Sequence, residues 1–278
     1  MVVLVTGANG QLGQALRFIA PEYLQIQFHF YGSDLLNITD KESVASAFEK
    51  LKPNFCINAA AYTAVDKAET DIENARAINA IGPKNLAEVC NLYSTTLIHV
   101  STDFVFDGNK NTPYTEEDTT NPQGIYGVTK REGELEIEAK SDAFFIIRTS
   151  WLYSEFGNNF MKTMLRLAKE RTSLSIVSDQ IGTPTQALDL AVTIVTIILS
   201  NSKNYGIYHF SNEGSASWFD FAKKIFEINN VTIVLTPITT SDYPTPAKRP
   251  KYSVLDKTKI KTEFKTTIKS WEEALVRK

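Results

Sequence analysis

Tyr126 and Lys130 stand four residues apart in Tyr126-Gly127-Val128-Thr129-Lys130. On a helix that spacing puts both side chains on one face, about one turn from each other. A cation held near a phenol favours the phenolate and lowers the tyrosine pKa. A phenol tuned in this way can hand a proton to a substrate oxygen. An ordinary exposed helix also carries such pairs, so the meaning of this one depends on what surrounds it.

The second candidate lies at the start of the chain. Val2-Val3-Leu4-Val5 is a continuous apolar run, as expected of a strand buried on both faces. Thr6-Gly7-Ala8-Asn9-Gly10-Gln11-Leu12-Gly13 follows at once, and Gln14 to Ile19 has a helical pattern. Glycines in a strand-to-helix turn allow tight folding and close backbone approach, and the helix N-terminus then faces a pyrophosphate. Gly7, Asn9, Gly10, Gln11, Leu12 and Gly13 are therefore candidate dinucleotide contacts; a plain turn is the alternative.

A second strand, Gln25 to Tyr31, ends in Gly32-Ser33-Asp34. A carboxylate at this distance from the glycines is placed to read the adenosine ribose. Asp34 accepting from a 2′-hydroxyl favours NAD, whereas Ser33 can bond a 2′-phosphate, and no Arg or Lys adjoins it. The balance leans to NAD, with NADH and NADPH both retained and a simple turn role for Asp34 still open. Asn37 follows, in Asn37-Ile38-Thr39-Asp40, where Thr39 or Asp40 caps a helix to about Leu51.

Phe55-Cys56-Ile57-Asn58 reads as a third buried strand. It runs into Ala59, Ala60, Ala61 and Tyr62, whose small side chains let backbone lie close to a ligand or to a neighbouring helix. Asn79 falls in a helical region that Gly82-Pro83 should kink or restart. It is either a local hydrogen-bond fix or part of a proton path. A fourth strand, Thr95 to Val100, ends in Ser101-Thr102-Asp103-Phe104. Hydroxyls at the carboxyl end of a parallel strand sit where such sheets bind ligands, which makes Thr102 the natural partner of Tyr126 on a substrate oxygen. Asn109 to Gln123 is a polar loop over the site.

The chain is 278 residues long, with 43% hydrophobic and 22% charged residues, proportions usual for a soluble globular protein. A net charge of −3 gives no electrostatic footprint for nucleic acid. Cys56 and Cys90 lie in apolar segments and read as structural thiols. No basic leader opens the chain, and the greasiest stretch, Leu188 to Leu199, is too short for a membrane span. The expectation is a cytoplasmic protein with no membrane or nucleic-acid partner.

With these stretches assembled, the sequence resembles the dTDP-4-dehydrorhamnose reductase family of extended short-chain dehydrogenases/reductases. The matching runs are TGANGQLG from Thr6, NAAAYTAVDKAE from Asn58, STDFVFDG from Ser101 and YGVTK from Tyr126. RTSWLY from Arg148, GNNF from Gly157 and DQIGTPT from Asp179 continue the likeness, with a weaker echo from Lys248 to Leu255. The glycine turn and the Tyr-Lys pair define only the superfamily; AYTAVDKAE, STDFVFDG and RTSWLY are more specific.

The resemblance implies an α/β fold: a Rossmann-like doubly wound parallel sheet with a small C-terminal α/β substrate lobe. Residues 1–150, plus a helix at about 186–200, would form the NAD(P)-binding domain, and 151–185 with 201–278 the lobe. It implies reduction of the C4 ketone of dTDP-4-dehydro-L-rhamnose by NADH or NADPH. Tyr126 would be the general acid, Lys130 would lower its pKa and bind the nicotinamide ribose, and Thr102 would bond the ketone oxygen. Ser33, Asp34, Asn37, Ala59, Ala60, Ala61, Tyr62 and Asn79 join the cofactor set. Val65, Thr102, Asp103, Phe104, Trp151, Asn158, Asn159 and Arg249 form the substrate set, with Lys248 and Arg249 in a basic loop suited to a diphosphate. Gly182 to Thr185 reads as a rigid loop whose backbone meets the cofactor. A reductase of a different nucleotide-linked 4-keto-6-deoxysugar and a non-catalytic dinucleotide-binding regulatory subunit are the alternatives. Some family members dimerise around magnesium held by acidic residues, but the aligned positions here are Ala15 and Leu188. Neither can ligate a cation, so no metal site and no metal-bridged dimer are expected. Phe104 stands where tyrosine is common, and the three histidines read as packing or surface residues.

Overall fold

The structure, a computed structural model, describes residues 1–276. Its strands are β1 (Val2–Thr6), β2 (Gln27–Tyr31), β3 (Phe55–Asn58), β4 (Thr96–Thr102), β5 (Phe144–Thr149), β6 (Leu152–Tyr153), β7 (Ser173–Val177), β8 (Ile181–Gly182), β9 (Thr185–Gln186), β10 (Gly206–His209), β11 (Ala216–Ser217) and β12 (Val234–Ile238). Its helices are α1 (Gln11–Ile19), α2 (Lys41–Leu51), α3 (Val65–Ala68), α4 (Ile72–Arg76), α5 (Gly82–Leu92), α6 (Ile125–Lys140), α7 (Phe160–Glu170), α8 (Ala187–Ser200), α9 (Trp218–Ile228), α10 (Thr258–Phe264) and α11 (Trp271–Val276).

The apolar runs align as one parallel six-stranded sheet in the order β2-β1-β3-β4-β5-β10. Side chains alternate between two cores, as the two-residue period of a strand requires. Val3, Val5, Ile57, Ile98, Phe145 and Ile147 face α1, α8 and α10. Leu4, Cys56, Leu97 and Ile146 face α2, α5 and α6. Burial on both faces explains why the sequence shows unbroken apolar stretches here. The chain passes to opposite sides of β1 at β2 and β3, so the sheet opens a crevice at the carboxyl ends there.

A third core holds the lobe, joining α7, α9 and α11 to β7. Helix α9 starts at Ser217, which forms a capping box with Asp220, and α2 starts at Asp40. The expected lobe boundary needs correction. β10 lies in the main sheet beside β5, and α10 packs on the same core through Ile260 and Phe264. Tyr208 and Phe264 close on Phe145, with ring centroids 5.9 Å from it, and this aromatic contact draws both segments out of the 201–278 lobe. β4 also runs to Thr102, past the expected Val100, which puts Thr102 on the sheet itself. The break expected at Gly82-Pro83 is a π-helical turn, Ala77–Ile81, that leads straight into α5.

Candidate active site

The crevice deepens into a cavity of about 650 Å³ between the sheet and the lobe. It is lined by Asn9, Gly10, Gln11 and Leu12 from the glycine turn, and by Ala59, Ala61 and Val65 beyond β3. Thr102, Asp103 and Phe104 come from the end of β4, and Tyr126 and Lys130 from α6. Trp151, Asn158, Asn159 and Arg249 close the far side. Sixteen of the residues picked out from the sequence thus share one cavity.

The glycine turn shows what it can accept. Gly7 has a φ of 65°, and a Cβ there would lie 2.4 Å from the Ala60 nitrogen. At Gly13 a Cβ would lie 2.4 Å from the Gly7 oxygen. These two are glycine because the protein packs on them. Gly10 differs: the nearest protein atom to a Cβ would be the Gly7 oxygen at 3.3 Å, and the residue lines the cavity. It precedes α1, and among the described residues no side chain caps that helix. Backbone N–H groups at such a terminus suit an anion. These features fit the pyrophosphate of a dinucleotide, which Gly10, Gln11 and Leu12 would hold.

Ser33 and Asp34 are exposed at the end of β2, outside the cavity lining. Asn37 is exposed as well, and its side chain accepts from the backbone and hydroxyl of Thr39. Tyr62 and Asn79 bind each other: Asn79 Oδ1 accepts from the Tyr62 nitrogen at 2.8 Å, and its amide donates to the Tyr62 oxygen and to Thr129 Oγ1. These bonds tie the segment after β3 to α6. Asn159 caps α7 and donates to Gln11 Oε1 at 2.9 Å, so it also locks the lobe to the turn.

Helix α6 is fixed at its middle. Arg148 on β5 grips Glu134 with two parallel bonds of 2.9 and 2.8 Å, both side chains almost fully buried. One turn earlier on the same helix, Lys130 donates to the Val100 oxygen at 2.7 Å and meets His99 Nε2 at 3.1 Å. Burial brings the Lys130 ammonium down to about 8, against a smaller opposing effect of Glu134. Burial likewise pushes the Tyr126 phenol up to about 12, which a hydrogen bond with Thr102 only partly offsets. The expectation that Lys130 holds this phenol down is therefore corrected: its Nζ is turned to Val100 and His99, and desolvation decides. Phe104 packs edge-on against Tyr126, with centroids 5.5 Å apart.

Asp103 is buried at 1% exposure, and its carboxyl is pushed up to about 6 by burial, with neighbouring hydroxyl bonds offsetting part of the effect. Its Oδ2 and Ser101 Oγ have no hydrogen-bond partner among the described residues. Buried polar atoms beside a cavity without partners are groups to which a ligand can bond. Arg249 is engaged by the Asp66 carboxylate at 2.6 and 2.7 Å. Gly182 lies against the Trp151 indole, where a Cβ would meet the ring at 2.6 Å. Sequence reasoning missed Ser101, Thr149, Ser150, Gln180 and Trp218 as cavity residues. Trp218 stacks on Trp151; its position at the start of a lobe helix carried no signal of that contact.

A model of the RmlD substrate binding domain matches residues 1–278. A dTDP-4-dehydrorhamnose reductase of Aggregatibacter actinomycetemcomitans is 44% identical, over 98% of this chain and 96% of its own length. The crystal structure of dTDP-4-dehydrorhamnose reductase from Bacillus anthracis, in complex with NADP, superposes with a TM-score of 0.95 at 42% identity, over 99% of this chain and 96% of that one. A Clostridium acetobutylicum dTDP-4-dehydrorhamnose reductase structure gives a TM-score of 0.95 at 43% identity, over 99% and 97%.

Proposed function

The chain belongs to the family of the RmlD substrate binding domain, and on that premise we propose that it reduces the C4 ketone of dTDP-4-dehydro-L-rhamnose to dTDP-L-rhamnose. One observation carries the reading: Thr102, Tyr126 and Lys130 converge on the same cavity as the uncapped glycine turn. The bound reduced dinucleotide, NADPH by likeness to the Bacillus anthracis relative, supplies the hydride.

Tyr126 donates its proton to the ketone oxygen. A phenol at about 12 is fully protonated at neutral pH, the form that a general acid needs. Thr102, on the strand end, donates a hydrogen bond to the same oxygen as charge develops there. Lys130, at about 8, lines the same cavity and is the proton source that restores the phenol after transfer. Asp103 Oδ2 and Ser101 Oγ bind substrate hydroxyls, and Trp151 packs on the sugar or the base. Proton transfer of this kind contributes roughly 10²–10⁴-fold, and orientation in the cavity supplies much of the rest.

The test is incubation with dTDP-4-dehydro-L-rhamnose and either NADPH or NADH, with nicotinamide absorbance and the sugar product both followed. Formation of dTDP-L-rhamnose supports the reading. Bound dinucleotide with no sugar reduced would overturn it and point to another nucleotide sugar or to a regulatory role.

A further inference from the structure

A chain of buried polar side chains reaches Lys130 from behind, crossing three strands. Thr6 Oγ1 on β1 donates to Asn58 Oδ1 at 2.7 Å. Asn58 Nδ2 on β3 lies 2.9 Å from His99 Nδ1 on β4, and His99 Nε2 lies 3.1 Å from Lys130 Nζ. All four residues are at most 1% exposed.

The near end fixes the direction of the whole chain. The Ala60 backbone N–H points at Asn58 Oδ1 at 3.2 Å, and an N–H can only donate. The Asn58 amide therefore turns its oxygen to Ala60 and its NH₂ to His99. His99 Nδ1 must accept, which puts the proton of the neutral ring on Nε2, facing Lys130. An ammonium would meet that N–H with another N–H. A neutral amine has a lone pair to accept it. The second contact of Nζ, the Val100 oxygen, accepts from either form.

We propose that His99 is a positioning residue of the reductase, held by Asn58 with its proton on Nε2 so that it favours the neutral Lys130 amine left after proton transfer. This rests on the Tyr126–Lys130 reading above. In the step, hydride adds to the carbonyl carbon, and the Tyr126 O–H bond breaks to place its proton on the oxygen. A proton from the Lys130 ammonium restores the phenol. The lone pair freed on Nζ accepts His99 Nε2–H, and water returns a proton to Nζ before the next turnover.

The electrostatics agree with that geometry. Burial, then the Lys130 charge, holds the His99 imidazole well below its usual value, so the ring stays neutral. Glu134 on α6 is the other charge that acts on Lys130; Arg148 on β5 and Arg131 engage that Glu134, and Asp103 after β4 acts on Tyr126.

The test is the pH profile of kcat with NADPH and the nucleotide sugar, for wild type, His99→Gln and Asn58→Asp. A glutamine can turn its oxygen to an ammonium. In Asn58→Asp the new carboxylate draws the His99 proton to Nδ1, so that Nε2 accepts from an ammonium. Both variants should move the alkaline limb up by about half a pH unit or more. An unmoved limb in a folded, dinucleotide-binding variant overturns the role of His99. Imidazole ¹⁵N shifts of the wild-type protein read the tautomer directly, whatever the variants do. A bare Nδ1 supports the proposal and a protonated Nδ1 refutes it. Lys130→Met at wild-type turnover would remove the Tyr126–Lys130 reading and this inference together. Loss of turnover in Lys130→Met with an unmoved limb in His99→Gln would remove the inference alone.

Discussion

Trp151 and Trp218 lie face to face, with ring centroids 3.6 Å apart and planes 9° from parallel. Trp151 has a φ of 45°, a costly conformation for a bulky residue. Trp218 and the Gly182 backbone hold it there, and Phe160 supports Trp218 at 4.6 Å. Trp218→Leu should let the Trp151 ring drift. We expect KM for the nucleotide sugar to rise about tenfold, roughly 1.4 kcal/mol, with dinucleotide affinity unchanged. Steady-state kinetics with each substrate varied in turn checks this.

Arg249 bridges the C-terminal loop to Asp66 at the start of α3, and its hydrogen bonds hold the Asp66 carboxyl below the usual carboxylate range. If Arg249 also meets the diphosphate, its loss should hurt more than loss of its partner. Arg249→Gln should raise KM for the nucleotide sugar at least about tenfold, and Asp66→Asn by only a few-fold. Equal effects would mean that the pair is a strap between segments and nothing more.

The three turn glycines should separate cleanly. Gly7→Ala and Gly13→Ala press a methyl into backbone and should cost roughly 2 kcal/mol or more of stability. Gly10→Ala meets only one atom, at 3.3 Å, and should melt within a few degrees of wild type while losing dinucleotide affinity. Thermal unfolding and titration calorimetry together read both quantities.

Asp103 should make stability depend on pH. Its carboxyl titrates at about 6 in the folded protein, above its ordinary 3.8, so the folded state binds the proton more tightly than the unfolded one. That stability is fully present below 3.8 and is lost as pH rises through about 6. Asp103→Asn removes the dependence. The variant should be more stable than wild type at pH 8, by on the order of 2–3 kcal/mol, with a difference that shrinks towards pH 4. Its kcat/KM should fall, because Oδ2 is withdrawn from the substrate. Denaturant unfolding at the two pH values decides it.

What could be read from the sequence follows the range of the interaction. The glycine turn, Ala59 and Ala61 beyond β3, Thr102 at the end of β4 and the Tyr126–Lys130 spacing are local patterns, and the fold brings them to one cavity. The partners that tune them are not local. His99 reads as an ordinary core histidine until β4 is placed beside β3, with Lys130 of α6 against it. The Arg249–Asp66 pair spans 183 positions, and no local pattern links the two. The wrong expectation for the Tyr126 phenol has the same origin: spacing put Lys130 on the right helix face, but burial and the carbonyl of Val100 decide where its charge goes. The lobe boundary failed at β10 because a strand pattern does not say which sheet the strand will join.

The most direct measurement is single-turnover reduction of dTDP-4-dehydro-L-rhamnose by the NADPH-bound protein, wild type against Tyr126→Phe. A general acid at Tyr126 predicts a rate at least about a hundredfold lower in the variant, with NADPH binding near normal. Equal rates in the two proteins would contradict the assignment of Tyr126 and, with it, the account of the site.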